Sequence, residues 1–480
     1  MVGTFELLVA SNRGPLSFVT GDDGREEVKR GGGGLVTAMS SAMSSVEGLW
    51  VCSALNNLER AVARRAPEGH LRTLDVDTGG SDVRMLPIDA TTFERAYNGI
   101  ANSTLWFVNH LLYDNPTRPV FDARWRRQWQ AYQEYNGAFA GALAEEAAEG
   151  AAVMVQDYHL VLTPRLLREQ RPDLRIAHFT HTPWASPEYY SMLPDDVARD
   201  VLAGILGADH AGFLSDRWAE AFLACCKQIL GATVDGRTVD YDGHRTEVGV
   251  HRLGVDGDEL RARAGEPDVA GRMAYVRELA GDRRIITRVD RTELSKNIVR
   301  GLLAYRELLR TRPQWHDRVV HVAYAYPSRH DLPEYREYTA SVQRLAREIN
   351  DEFATGDWSP VLLGVTDDYP GSLAAFRLCE VLIVNPILDG MNLVAKEGPV
   401  LAETGCALVL SREAGAADEL SADALMVNPY DVSQTAERIH EGLLMPADER
   451  ATRGRRLAAA ATALPPAAWF DEQLAALGRP

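Results

Sequence analysis

RRIITRVDR, from Arg283 to Arg291, decides how this chain is built. Apolar residues fill its middle and an Asp-Arg pair closes it. Segments of the same kind follow, "RVVHVAYAYP", "SPVLLGV", "VLIVNP" and "CALVLS", with longer amphipathic stretches between them. Short apolar runs alternating with helical patterns predict parallel strands that cross over through helices. The same alternation has already run once, through "FELLVASNR" (Phe5–Arg13), "AAVMVQDYHL" (Ala151–Leu160) and "RIAHFTHTP" (Arg175–Pro183), with stretches such as "RRQWQAYQEYNGAFAGALAEE" between. A series that starts afresh in mid-chain means two doubly wound, Rossmann-like α/β domains. Ligands bind outside the carboxyl ends of such strands, so the expected site is a central cleft faced by both sheets.

Length agrees with this division, because 480 residues exceed one ordinary core and two domains of roughly 200 to 250 residues are expected. The joint is placed near Gly254–Asp258, giving an N-terminal domain 1–254 and a C-terminal domain 255–457. The remaining 458–480, with a Pro-Pro break and an aromatic-bearing helix, is expected to dock back on the first domain.

Composition narrows the function. The chain is 46% hydrophobic and 25% charged, with no apolar run near membrane-spanning length and no basic-plus-apolar leader in "MVGTFELLVASNR". A cytoplasmic setting is expected. A formal charge of −17 disfavours nucleic acid and acidic membrane as partners, so an anionic ligand needs a local basic pocket. Five scattered cysteines, Cys52, Cys225, Cys226, Cys379 and Cys406, have no metal-ligand spacing and are read as reduced and mostly buried. Only Lys29, Lys227, Lys296 and Lys396 are lysines among 51 basic residues, and the last two fall within motifs, which hints that an ammonium is wanted there.

Several strand ends carry candidate chemistry. "SNRGPLSF" sets Arg13 at the end of the first strand, and "RGGGGLVTAM" puts Gly31–Gly34 before a helix, where bare backbone could approach a phosphate; a flexible surface loop is the alternative. "VQDYHL" and "HFTHTPW" end strands on Asp157 and His159, then His178 and His181. Spacing along a strand turns His178 and His181 to opposite faces, which argues against a metal site. His181 is the better active-site candidate, and His159 and His178 read as structural. "TRVDRTELSKN" offers Arg291 and Lys296 as a diphosphate clamp, and "AYPSRHDL" adds Arg329. In "NPILDGMNLVAKEG" (Asn385–Gly398), Asp389, Gly390 and Asn392 make a strand-turn-helix junction with Glu397 on the helix. Paired carboxylates also suggest a glycosidase, yet three strong cations beside them favour a phosphorylated donor.

Together "SNR…GGL", "YNGIANSTLW", "DYHL", "HTPWASPEYYSMLP", "VDRTELSKN", "DGMNLVAKE" and "NPYD" resemble the trehalose-6-phosphate synthase family, from about Val9 to Asp431. The resemblance implies a retaining glycosyltransferase of the two-domain GT-B type. It implies an acceptor pocket for glucose 6-phosphate at Arg13, Tyr97, Trp106, Asp157 and Arg329. The implied donor site comprises Gly33, Gly34, Arg291, Lys296, Asp389, the backbone of Leu393 and Val394, and Glu397, with His181 beside the donor sugar. Catalysis would fall to His181, Asp389, Arg291 and Lys296.

The chain departs from the family pattern at "FVNHLLYD" after Trp106 and at "VCSALNN" after Trp50. Acceptor identity is therefore less determined than donor chemistry, with cyclitol phosphate and glycerol phosphate as rivals and a catalytically silent sugar-phosphate sensor as a third. In the loop "TDDYPG", Asp367 aligns with the base-contacting position and Asp368 stands beside it. Carboxylates there could read guanine, so GDP-glucose is expected over UDP-glucose, with helix capping as the competing account. No metal and no cofactor is expected. The partners are a nucleotide-sugar and a sugar phosphate, and a homo-oligomer is left open.

Overall fold

The computed structural model describes residues 3–21, 24–30, 39, 43, 48–74, 76–78 and 80–478. Contacts divide the chain into one unit of Met1–Arg252 with Pro466–Pro480 and a second of Leu253–Pro465. Residue 458, where the sequence suggested the return, lies inside the helix Ala447–Ala461. The amides of Gly254 and Val255 donate to the carbonyls of Leu464 and Ala461, at 2.8 and 3.0 Å, which keeps that stretch with the second unit through Pro465.

The strands are β1 (Phe5–Ser11), β2 (Leu16–Thr20), β3 (Glu26–Arg30), β4 (Leu49–Ser53), β5 (Asp82–Leu86), β6 (Ala147–Gln156), β7 (Arg175–Thr180), β8 (His210–Phe213), β9 (Thr233–Asp235), β10 (Thr238–Tyr241) and β11 (His244–Val250) in the first unit. The second holds β12 (Arg284–Arg291), β13 (Val319–Tyr326), β14 (Val361–Gly364), β15 (Val381–Val384), β16 (Ala407–Ser411) and β17 (Leu425–Val427). One sheet runs β5-β4-β1-β6-β7-β8-β11-β10-β9 and the other β14-β13-β12-β15-β16-β17. All six strands of the second sheet are parallel. In the first, β10 pairs antiparallel with both β11 and β9 at one edge, and β2 and β3 form a separate hairpin.

Setting aside the β11-β10-β9 edge of the first sheet, the strand order reverses between β1 and β6 in one sheet and between β12 and β15 in the other. These reversals are where a doubly wound sheet opens a crevice at its carboxyl ends. The strands can read as unbroken apolar runs because helices cover both faces. LWVCS of β4 and ALVLS of β16 are buried throughout. In the second unit the core joins Ile286, Val319, Ile383 and Val409 of the sheet to Ile298, Leu302, Tyr305 and Leu309 of the helix Ile298–Thr311. Each such aliphatic side chain, fully buried, contributes about 1.5–3 kcal/mol.

The final helix, Pro466–Ala476, packs within the first unit. Trp469 is fully buried with its ring edge-on to Phe179 at 5.0 Å. The carbonyl of Leu477 accepts from Arg175 at 3.1 Å, and Glu472 lies 3.4 Å from His251 Nδ1.

Candidate active site

In the second unit the residues leaving β12 are built around one buried guanidinium. Arg288 has no exposed surface and donates to Asp290 Oδ2 (2.8 Å), to the carbonyl of Lys296 (3.2 Å) and to Asn385 Oδ1. Asn297 then takes a left-handed φ of 59° and donates to the carbonyls of Asn385 (2.9 Å) and Pro429 (2.7 Å). One asparagine thus joins the loops that follow β12, β15 and β17, and Asn tolerates this conformation better than most residues do.

The turn Leu294–Lys296 presents Lys296 to Asp389, Nζ to Oδ2 at 2.6 Å. Burial works against the lysine's charge, but Asp389 and Asp290 outweigh it and hold its pKa above the ordinary lysine value. Asp389 is fixed from two further sides. Asn392, itself at φ 78°, donates to its Oδ2 at 3.1 Å, and the loop after β16 meets its backbone through Glu413 O at 3.2 Å and the Gly415 amide at 3.0 Å. A Cβ on Gly415 would stand 2.0 Å from the carbonyl oxygen of Gly390, so only glycine allows this approach.

Asn392 Oδ1 also accepts from the Ala395 amide at 3.2 Å, and the helix Val394–Leu401 follows, with Leu393 as its cap and Val394 as its first residue. Glu397 sits half-buried on the first turn, and burial pushes its carboxyl up to about 7 although Lys296 pulls the other way. Lys396 has another duty. It is buried and donates to Glu419 (2.7 Å) and the Leu253 carbonyl (2.8 Å), so its ammonium fastens the helix and does not serve a ligand.

Arg291 is half exposed, with Glu293 3.7 Å away. Glu293 is fully buried, which alone would raise its pKa, yet Arg329 and Arg291 hold it near about 2. It bonds Arg329 Nη1 and the Ser328 hydroxyl, both at 2.5 Å, and Arg329 also donates to Tyr335 at 2.8 Å. Arg329, placed by resemblance with the acceptor, thus shares this carboxylate with Arg291, placed by resemblance with the donor. Asp290 below them is raised to about 6, by burial first, with Arg288 and Lys296 opposing.

The guanine reading of "TDDYPG" needs correcting at Asp368. Its Oδ1 accepts from the Gly371 amide at 3.0 Å as the N-cap of the helix Tyr369–Leu378, and its Oδ2 is 3.1 Å from Arg272. Both oxygens are committed to the fold. Asp367 beside it is exposed. Gly33 and Gly34 lie outside the described residues.

In the first unit β6 ends at Gln156, and Asp157 follows it. Asp157 turns left-handed at φ 71°, a conformation that costs a non-glycine residue of order 1–3 kcal/mol and collects at functional sites. Its amide donates to Phe179 O at 2.7 Å, and its Oδ1 accepts from the His181 amide at 3.1 Å. The His181 ring meets Gln156 Oε1 through Nε2 at 3.0 Å and packs against both Phe179 and Trp469, whose centroids are 4.7 and 5.5 Å away and which also touch each other. Burial, then His178, lowers its pKa to about 3, so the ring is neutral. His178 is buried behind it with Nε2 3.3 Å from the Asp157 carbonyl, a structural position.

Arg13 follows β1 on a backbone held by Ser11, whose hydroxyl donates to the Arg13 carbonyl (2.7 Å) and accepts from Trp50 Nε1 (2.8 Å); its side chain is exposed. Tyr97 and Trp106 are carried by a π-helical segment, Arg95–Leu105, and the residue after it. Ser103 and Thr104 hydroxyls donate to the carbonyls five residues back, Asn98 and Gly99, and so bridge the widened turn. Tyr97 stacks on His159 at 5.6 Å, and Trp106 stacks on His110 at 3.8 Å.

Five loops, those after β12, β13, β15, β16 and β17, are thus bonded together at the carboxyl ends of the second sheet, with Arg291, Arg329, the Lys296–Asp389 pair and a desolvated glutamate among them. At the corresponding ends of the first sheet stand an aspartate, a neutral histidine and an exposed arginine. Residues 6–479 match the model of glycosyltransferase family 20. This chain belongs to that family. Among family 20 relatives, a bifunctional trehalose-6-phosphate synthase/phosphatase of Thermoproteus tenax is 33% identical across 94% of this chain, which spans only 60% of that relative's length. An α,α-trehalose-phosphate synthase [UDP-forming] 2 of Aspergillus niger is 33% identical, covering 95% of this chain and 93% of that one. The crystal structure of an α,α-trehalose-phosphate synthase (UDP-forming) from Burkholderia xenovorans in complex with glucose-6-phosphate superposes with a TM-score of 0.86 at 26% identity, over 99% of this chain and 100% of the other. The two-domain GT-B fold follows from membership.

Sequence reasoning left out Asn297, Glu293, Gly415, Gln156 and Trp469. Asn297 had a signal, since an Asn directly after the turn ending in Lys296 is a left-handed candidate. The small-residue run "EAGAA" announced a close approach at Gly415 without saying to what.

Proposed function

We propose that the chain transfers glucose with retention from UDP-glucose to the anomeric hydroxyl of glucose 6-phosphate, giving α,α-trehalose 6-phosphate and UDP. The observation that carries this is the Lys296–Asp389 pair beside half-exposed Arg291 at the strand-order reversal of the second sheet. Lys296 and Arg291 neutralise the diphosphate as its bond to the sugar breaks, when charge on the leaving oxygen is largest. Asp389 accepts hydrogen bonds from the donor sugar's hydroxyls. Glu397, largely desolvated and needing donors, holds the ribose hydroxyls. The acceptor hydroxyl enters on the face the diphosphate leaves and gives its proton to the departing phosphate oxygen, so no protein nucleophile is required. His181, being neutral, sets no positive charge against the oxocarbenium-like sugar. Arg13 and Arg329 take the acceptor phosphate.

UDP-glucose replaces the GDP-glucose expected from the loop, because Asp368 is spent on capping and pairing and two of the relatives described are named UDP-forming. A reducing, cytoplasmic setting belongs to the same proposal and fits five free, buried cysteines. The departures after Trp50 and Trp106 keep a second acceptor in view, a cyclitol or glycerol phosphate. A matrix of UDP- and GDP-glucose against glucose 6-phosphate, cyclitol phosphate and glycerol 3-phosphate, with products identified by NMR, tests both. The expected result is α,α-linked product from UDP-glucose and glucose 6-phosphate at the highest kcat/KM, and any other winning pair overturns the assignment.

A further inference from the structure

Gln156 is the last residue of β6, and its register partner on β7 is Phe179, two residues before His181. Its side chain is fully enclosed, at 1% exposure. One end of the carboxamide lies 3.0 Å from His181 Nε2, and the other end, Nε2 of Gln156, is buried with no hydrogen-bond partner among the described residues. The two ends of a carboxamide have the same shape, so the surrounding network decides which faces the imidazole. With oxygen toward the ring, a buried amide nitrogen loses every hydrogen bond. Turned over, that nitrogen donates to the lone pair of His181 Nε2, and the atom left bare is a carbonyl oxygen, the cheaper one to leave so.

We infer that Gln156 is a positioning residue that keeps the His181 proton on Nδ1, so that this nitrogen meets the substrate as a hydrogen-bond donor. Three further observations agree. The ring is neutral and carries one proton only, because burial and His178 oppose a second. Its tilt is fixed by Phe179 and Trp469 and its backbone by Asp157 Oδ1, so the proton is the one variable left. Nδ1 is the ring nitrogen with no hydrogen bond to a described residue, and so the one open to a sugar hydroxyl. The hydroxyl oxygen accepts from Nδ1 and keeps its own proton for another acceptor, which orients the donor sugar without placing charge beside it. The catalytic consequence rests on the glucosyl-transfer reading above; the position of the proton does not.

Nitrogen NMR of the full-length protein labelled at histidine tests the inference, with His181 assigned by its loss in His181→Asn. The parent should show Nδ1 protonated and Nε2 bare. In Gln156→Glu a carboxylate can only accept, so the pattern should reverse or the ring should become an imidazolium. Gln156→Leu should populate both tautomers and lower kcat roughly threefold to tenfold, the value of one hydrogen bond, with a smaller change in acceptor KM. A parent ring protonated on Nε2, or a Gln156→Glu spectrum identical to the parent's, would overturn the inference, and the parent spectrum decides alone if neither variant folds. Lack of glucosyl transfer in the parent would instead remove the proposed function and leave the tautomer result standing.

Discussion

Lys296 has two demands on one ammonium. At rest it holds Asp389 at 2.6 Å, and in the transfer proposed above it would also face a diphosphate whose charge is growing. Lys296→Ala and Arg291→Ala should therefore lower kcat by roughly 10²–10³-fold, as loss of one transition-state donor does, and leave saturation by glucose 6-phosphate nearly unchanged. Arg329→Ala should raise the acceptor KM instead. Steady-state kinetics with each substrate varied checks the division, and one shared pattern for all three variants would refute it. Glu397 yields a prediction about pH. Its carboxyl is raised from an ordinary 4.5 to about 7 by burial, so between those values the native chain keeps a proton that the unfolded chain has released. Stability then falls as pH rises through that window, and at pH 8 the ionised parent bears the whole penalty. Glu397→Gln should unfold later than the parent at pH 8, by on the order of 1 kcal/mol after allowing for partial exposure, should match it near pH 4, and should bind donor more weakly. Thermal melts at the two pH values with donor titrations provide the check. Lys296, Asp389 and Glu397 could be singled out in the sequence because each ends or starts an element in an unusual motif, and the structure places them close enough to interact. Asp368 was misread because a helix cap and a base contact call for the same residue type in the same place.

Trp469 shows how an element outside the motifs supports one of them. The helix Pro466–Ala476 puts this indole between the wall of the first unit and the ring of His181, edge-on to Phe179. Trp469→Ala should cost about 3–5 kcal/mol of first-unit stability. It should also lower kcat at temperatures where the variant stays folded, because His181 loses one of its two walls. Denaturant titration and kinetics well below the melting point separate the effects, and a destabilised variant with unchanged kcat would show that Trp469 does not position the ring. The parallel strands were readable from their unbroken apolar runs, and the final helix from its Pro-Pro break. Its point of departure was not readable, since the backbone bonds from Gly254 and Val255 that hold residues 461–464 leave no trace in composition. The π-helical segment Arg95–Leu105 was equally hidden: its Ser and Thr bonds reach five residues back, and no apolar periodicity records them.

At the scale of the molecule, six strands of the first sheet, β5-β4-β1-β6-β7-β8, repeat the order of the second, and the candidate residues of each sheet gather near where that order reverses. On the proposed reading, the cationic charge at the second reversal comes from Arg291 and Lys296 in place of a divalent ion. Turnover should persist through exhaustive chelation, measured as UDP release in EDTA, and recovery of lost activity by added magnesium or manganese would contradict this. The scarcity of lysine has a practical side. Of the four, Lys396 is buried and Lys296 is 18% exposed and tied to Asp389, whereas Lys29 on β3 and Lys227 after the helix Asp216–Cys225 are open to solvent. An amine-reactive dye or resin therefore finds two side-chain handles on the described surface. Lys29 lies two residues before the glycine run that begins at Gly31, so coupling there risks crowding a donor loop. Replacing Lys29 with arginine would leave Lys227 as the principal point of attachment, and nearly every immobilised molecule would present the same face.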